Sequence, residues 1–173
     1  MEFFDTVRNR HSVRSYQPRE LEEEKLNTLV EAVNLAPSAG DLQGYEVIVV
    51  RSTSTKEALA RAAYGQSAVT EAPMALVFCA DRLLSASKYG RRGAELYAVQ
   101  DATIAAAYCQ LAATALGLAT VWIGAFDPDA VAAAIESPQH VTPIAILPVG
   151  YPAEEPRRTP RRPPTDLVRN EKF

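Results

Sequence analysis

The stretch from Tyr97 to Thr120 constrains this chain most, because it is long and rich in Ala and Leu. Such a composition reads as a helix buried in protein. It is not a membrane span, since Gln100, Asp101 and Gln110 interrupt it and alanine gains little on transfer to lipid. Gly117 stands where a left-handed C-terminal cap falls. At 173 residues the chain fits one domain, which buries roughly 70% of the surface exposed when unfolded.

Shorter elements flank that helix. Phe3, Phe4 and Val7 form the apolar side of an opening helix, leaving Arg8, Arg10 and Ser12 at or just past its end. From Leu21 to Ala36, the residues Leu26, Leu29, Val30 and Val33 keep helical spacing, Glu22, Glu23, Glu24 and Lys25 face water, and Pro37 stops the helix. Tyr45 to Val50 and Met74 to Ala80 read as strands, with a capping box at Ser54 and Glu57 starting a helix through about Ala63. Thr120 to Ile123 reads as a third strand and Ile144 to Val149 as a fourth. Asp127 and Pro128 open a helix reaching about Glu136. By pattern alone, strands alternating with helices point to a parallel, doubly wound sheet. No internal repeat or second domain is visible, and after Tyr151 the Pro- and Arg-rich stretch reads as an extended tail.

Charge and cysteine content exclude several classes. The net charge of −3 gives no global pull towards nucleic acid. Cys79 and Cys109 show no CxxC pairing and no nearby His, so neither a disulfide framework nor a zinc site is indicated, and a reducing cytoplasm is expected. Glu2 and Asp5 do not suit a secretory signal. There is no G-x-G-x-x-G and no G-x-x-x-x-G-K-[ST], which leaves no support for a Rossmann nicotinamide site or a P-loop.

Arginine is concentrated at the two ends. Arg10, His11, Ser12 and Arg14 stand together near the start, and the run from Arg157 to Arg162 is punctuated by Pro156, Pro160 and Pro163. Between them, Ala36-Pro37-Ser38-Ala39-Gly40-Asp41-Leu42-Gln43 joins a helix to a strand with residues that let backbone approach a flat ligand. Together these segments suggest a phosphate-bearing cofactor.

Four segments in order, Arg10 to Arg14, Ala36 to Gly40, Trp122 to Pro128 and Leu147 to Pro152, resemble the nitroreductase-like flavoproteins, and the resemblance runs from Phe3 to about Val168. It implies an α+β fold, a three-layer sandwich with a mostly antiparallel central sheet flanked by helices. It also implies an intertwined homodimer, with the long helix at the interface and a tail, about 152–173, crossing to the partner. The implied cofactor is FMN, reduced by NADH or NADPH in a ping-pong cycle and reoxidised by a nitroaromatic, quinone or activated alkene. Since the flavin carries the chemistry, the chain needs no catalytic acid, base or nucleophile, and none stands out.

The resemblance distributes the contacts as follows. Arg10 and Ser12 meet the phosphate and ribityl end with His11 nearby, Arg161 and Arg162 assist there, and Arg14 lies at the pyrimidine edge, where a cation favours the reduced ring. Pro37, Ser38 and Ala39 come from the partner subunit. Asp41 stands where Asn is usual, and an ionised carboxylate can accept from a ribityl hydroxyl but cannot donate to a ring oxygen. Ile123 and Gly124 bring backbone to the ring, and Gln66 is a ring-edge candidate. The stretch Asp81 to Gly93, with Arg82, Lys88, Arg91 and Arg92, is either a basic cover that attracts a charged substrate or a solvated loop. Two alternatives stay open: other flavin chemistry on the same fold, namely reductive dehalogenation or flavin breakdown, and a non-catalytic binding protein that docks its Arg-Pro tail.

Overall fold

The computed structural model describes residues 2–156 and 159–173; Arg157 and Arg158, the start of the tail's basic run, lie outside them. The Ala-rich helix takes the central place its composition demands. As α6 (Ala98–Ala115) it buries Ala98, Ala102, Ala105, Ala106, Cys109 and Ala113. It packs against α1 (Phe3–Asn9), α2 (Glu23–Asn34) and all strands of the sheet. Gly117, at φ 73°, takes the left-handed conformation that ends it.

The sheet has four strands, β1 (Tyr45–Val50), β2 (Met74–Asp81), β3 (Ala119–Thr120) and β4 (Val141–Gly150), in the order β1-β2-β4-β3. Every pairing is antiparallel, which overturns the parallel reading from pattern alone. That pattern misleads because helices cover both faces. In β2, Ala75, Val77 and Cys79 join one apolar cluster while Met74, Leu76 and Phe78 join the other. A strand buried on both sides loses the polar alternation that usually marks an antiparallel sheet. The first cluster includes Leu59 of α3 (Thr53–Ala62), Val69 of α4 (Ala68–Glu71) and Val131 of α7 (Pro128–Ala134). The second joins α2 and α6 to the opposite face.

Several local expectations are corrected. The helix after β1 is capped by Ser52, whose hydroxyl oxygen accepts from the Thr55 N–H at 3.2 Å, and Ser54 lies inside it. Val30 is exposed on α2, because its apolar stripe is wider than its contact with the core, and Lys25 is half-buried, because its Nζ donates to Leu116 O at 3.2 Å and to the Tyr151 hydroxyl. Phe3, Phe4 and Val7 are also exposed. The third strand is shorter than expected, although Ile123 still bridges to Ile146. The stretch after β2 is helical, α5 (Arg82–Arg92), followed by a π-helical turn over Gly93–Tyr97. In the tail, α8 (Pro164–Leu167) is one helical turn in otherwise extended chain. Among the described residues, no helix is long and apolar enough to cross a membrane.

A polar knot holds the start of α2 to the end of β4. The Tyr151 hydroxyl donates to Glu22 Oε2 at 2.6 Å and accepts from Lys25 Nζ at 2.8 Å. Arg19 stacks on the Tyr151 ring at 3.9 Å and donates to Glu22 Oε1 at 2.5 Å. The Tyr151 hydrogen bond, with smaller help from the backbone and Arg19, holds the Glu22 carboxyl at about 2. An unfolded glutamate titrates near about 4.3, so the native state binds fewer protons, and this contribution is complete above that value and lost as pH falls through about 2. Glu22→Gln is therefore expected to be less stable than the parent at neutral pH, with the gap closing in acid. Urea denaturation over a pH series checks this; a gap independent of pH would contradict it.

Candidate functional site

The N-terminal arginine segment is fixed by backbone before any side chain acts. Arg10 closes α1 by donating its N–H to Thr6 O at 3.0 Å. Ser12 then bridges beside Thr120, and the Val13 N–H reaches Thr120 O at 3.1 Å. Further on, the Gln17 N–H donates to Tyr151 O at 2.9 Å and the Ala153 N–H to Ser15 O at 2.9 Å. Glu154 Oε1 accepts from the Arg14 and Ser15 N–H groups at 2.6 and 3.3 Å. Residues 12–17 are thus laced between β3 and the chain leaving β4. The Arg14 side chain stays exposed, as does Ser12.

One turn earlier, a cavity of about 470 Å³ is lined by Val7, Arg8, Arg10, His11, Thr159 and Arg161. It joins residues from the two ends of the sequence, and among the described residues no carboxylate lines it. Burial, and then the charge of Arg161, lower the pKa of Arg10. Two guanidiniums held together without an anion repel each other, and a phosphate group would relieve that repulsion. Arg162 is not among the residues lining it, and its Nη2 donates to Asp166 O at 2.7 Å within the tail. Of Arg161 and Arg162, it is Arg161 that lines the cavity with Arg10.

The loop before β1 forms a second site. Pro37, Ser38 and Ala39 line a cavity of about 530 Å³ together with Tyr97, Gln100 and Asp101. Ser38 Oγ accepts from the Gln43 N–H at 2.9 Å, and Gln43 Nε2 donates back to Asn34 O at 3.0 Å. Gly40 and Asp41 both take left-handed backbone, at φ 61° and 59°, and Asp41 is exposed. The residue that sequence reasoning missed is Asp101. Buried in α6, it accepts the Ala39 N–H on Oδ1 at 2.9 Å, while its Oδ2 has no partner. A carboxylate in an otherwise apolar helix was the available signal.

Other candidates lie on the turn after β3. Ile123 is buried, and both its N–H and its C=O are engaged by Ile146, at 3.0 and 2.9 Å, so it anchors the turn and leaves exposed Gly124 for close approach. The Asp127 N–H donates to Ala62 O at 2.9 Å, tying this turn to the end of α3, beyond which lies half-buried Gln66. Burial pushes the Cys79 and Cys109 thiols up to about 12, so neither is a thiolate at neutral pH. An apolar groove of about 360 Å³ between α2 and β1, lined by Val30, Val33 and Val47 among others, offers no charged group. Within a single chain, the arginine cavity and the Pro37–Ala39 cavity are separate.

The nitroreductase family matches residues 7–91 and 61–151 of the sequence, which together span 7–151. The chain belongs to the nitroreductase family. Among relatives, it is 35% identical to a Thermus thermophilus protein named NADH dehydrogenase, over 84% of each chain. It is 33% identical to the Bacillus subtilis FMN reductase [NAD(P)H], over 94% of this chain and 70% of that protein. In three dimensions it superposes on nitroreductase A from Vibrio parahaemolyticus with a TM-score of 0.92 at 27% identity, covering all of this chain and 77% of the other. The three-layer α+β sandwich described above is therefore the nitroreductase fold.

Proposed function

We propose that this nitroreductase-family protein is an FMN-dependent oxidoreductase that draws electrons from NADH or NADPH and acts as a homodimer with two sites at the subunit interface. The observation that carries the reading is the meeting of Arg10 and Arg161, from opposite ends of the chain, around one cavity with no carboxylate among its described lining residues. The residues present fit an FMN phosphate there, with His11 beside them. Bound FMN would accept two electrons from the nicotinamide donor and pass them to a small oxidised molecule such as a nitroaromatic, a quinone or an activated alkene. The names of the relatives, an FMN reductase and nitroreductases among them, support the same chemistry.

In this reading the chain supplies position and charge. Ser12, held beside Thr120, faces the ribityl chain, and the exposed Arg14 guanidinium compensates negative charge at the pyrimidine edge of the ring. Pro37, Ser38 and Ala39 reach the ring from the second subunit, which accounts for two half-sites that stay apart within one chain. Asp101 fixes that loop through the Ala39 N–H, and Asp41 accepts from a ribityl hydroxyl. Gly124, anchored by Ile123, lets backbone come close, with Gln66 at the ring edge. Arg162 clips the tail to its own helical turn and so aims Arg161. The whole chain is one domain whose tail, about 152–173, crosses to the partner, and the free, buried thiols suit the cytoplasm. The position of Arg161 favours this reading over a tail that docks elsewhere.

Purified protein is expected to be yellow, to release FMN on denaturation, to elute as a dimer and to oxidise NADH or NADPH when a quinone is added. Colourless protein that cannot be reconstituted with FMN would overturn the reading.

A further inference from the structure

Outside the two cavities, the strongest unassigned charge lies on α5, which carries Arg82, Lys88, Arg91 and Arg92. Arg91 is neutralised by Glu95 at 2.7 Å. Among the described residues, neither Lys88 nor Arg92 pairs with a carboxylate. Each is held instead by neutral or aromatic groups. Lys88 Nζ donates to Gly40 O at 3.3 Å and lies 5.5 Å from the Tyr89 ring centroid. Arg92 Nε donates to the Tyr97 hydroxyl at 3.0 Å, with its guanidinium 5.4 Å from that ring centroid. The two tyrosine rings meet edge to face at 5.1 Å, which joins the cations into one cluster.

The backbone shapes this cluster as well. Gly90, at φ 55° and ψ −142°, breaks the helix between Lys88 and Arg92 in a conformation that essentially only glycine adopts. The π-helical turn that follows ends at Tyr97, which lines the cavity shared with Pro37, Ser38 and Ala39. Lys88 touches the same loop one residue further on, at Gly40. Asp41, the nearest acid in sequence to Gly40, is exposed and forms no ion pair with either cation. Two uncompensated cations braced on aromatic faces, one tied to the loop that lines the cavity and the other to Tyr97 in its wall, suit phosphate esters.

We infer that Lys88 and Arg92 dock the phosphate groups of the nicotinamide donor, holding its charged end on α5 while its reactive ring enters beside the Pro37–Ala39 loop. The inference rests on the flavoenzyme reading above and adds a donor-recognition site to it. The shared chemistry is a phosphate ester, supplied either by the diphosphate common to NADH and NADPH or by the 2′-phosphate of NADPH alone.

The test uses the FMN-loaded dimer and the double variant Lys88→Gln/Arg92→Gln. Three donors are compared: NADH, NADPH and the uncharged 1-benzyl-1,4-dihydronicotinamide, which carries no phosphate. In the variant, kcat/KM for one or both dinucleotides is expected to fall about 10-fold or more. For the neutral donor it stays at the parent value, with FMN content unchanged. Equal falls for NADH and NADPH assign the diphosphate, and a larger fall for NADPH assigns the 2′-phosphate as well. Calorimetry with ADP-ribose, which has the diphosphate but no nicotinamide, should show binding to the parent that weakens in the variant if the diphosphate is the docked group. A fall of the same size with the neutral donor would mean that the pair merely positions the loop through Gly40, and would overturn the inference. So would unchanged kcat/KM for both dinucleotides. If the parent itself held no FMN and oxidised none of the donors, the flavoenzyme reading would fall first and take this one with it.

Discussion

Arg10→Glu should give a folded protein that no longer retains FMN. Arg10 and Arg161 line one cavity with no carboxylate among its described lining residues, its third arginine, Arg8, being paired with Asp5 at 3.1 Å, and Arg10 is the more buried of the two. Each charge-assisted contact to a phosphate is worth about 1.5–3 kcal/mol, so removing one alone costs about 10- to 100-fold in affinity. Replacing the cation by a carboxylate adds repulsion, which puts the expected loss at or above about 100-fold. The side chain projects from the end of α1 and makes no ion pair among the described residues, so the fold should tolerate the change. Removing one of two crowded guanidiniums should even stabilise the apoprotein slightly. Inorganic phosphate should raise the melting temperature of the parent apoprotein and leave that of Arg10→Glu unaltered, because only the parent presents both cations. Retention of FMN at parental affinity by Arg10→Glu would show that the phosphate sits elsewhere, whereas Arg161→Ala alone should weaken binding to a lesser degree.

How far such a site could be read from residues alone differs from element to element. The helix α6 was legible because a long Ala- and Leu-rich stretch favours burial in protein, although Gln100, Thr103, Ala107 and Tyr108 stay exposed along one face. The limits of β1 were legible because β-branched residues are bounded by Gly44 and by the polar residues after Val50. Strand direction was not, since β2 is covered on both faces and reads like a parallel strand. The cap of α3 slipped by two positions because Ser52, Thr53, Ser54 and Thr55 all suit an N-cap, and only backbone geometry selects Ser52. The arginines at both ends were visible as candidates. Their places were not separable in sequence: Arg161 lines the cavity with Arg10, whereas Arg162 donates to Asp166 O in the single turn α8. Asp101 went unassigned for a related reason: what matters is the Ala39 N–H that it meets across 62 positions of sequence. The stretch after β2, read in sequence as either a basic cover or a solvated loop, is a helix that kinks at Gly90 and packs closely at Gly93.

The second of those glycines carries the other large expected effect, because Gly93→Ala should both destabilise the fold and damage the donor side of the site. Gly93 is buried with ordinary helical backbone at φ −59° and ψ −50°, so alanine is conformationally acceptable. The obstacle is space. A Cβ there would collide with the Ser85 carbonyl oxygen and come within 2.7 Å of the Ser85 carbonyl carbon and 2.9 Å of the Tyr89 Cβ. Backbone cannot swing away as a side-chain tip can, so α5 has to move as a body. Ser85 has no room to retreat, since it is fully buried and its hydroxyl already fills the space where Gly44 lacks a side chain. Overpacking of this kind costs about 1–3 kcal/mol, and a backbone obstacle puts Gly93→Ala at the upper end, a fall of roughly 6–12 °C in melting temperature for a domain of this size. Gly117→Ala is the matched control. It lies at φ 73° with open space around the missing Cβ, so only backbone strain of about 1 kcal/mol is expected, with no effect on turnover. Displacing α5 would carry Lys88 off Gly40 and shift Tyr97 in the cavity, so Gly93→Ala should also lower kcat/KM for NAD(P)H while FMN stays bound through Arg10 and Arg161. Thermal melts and steady-state assays of the two glycine variants decide the matter: if Gly93→Ala is no worse than Gly117→Ala in both, α5 is not locked to the fold through Ser85.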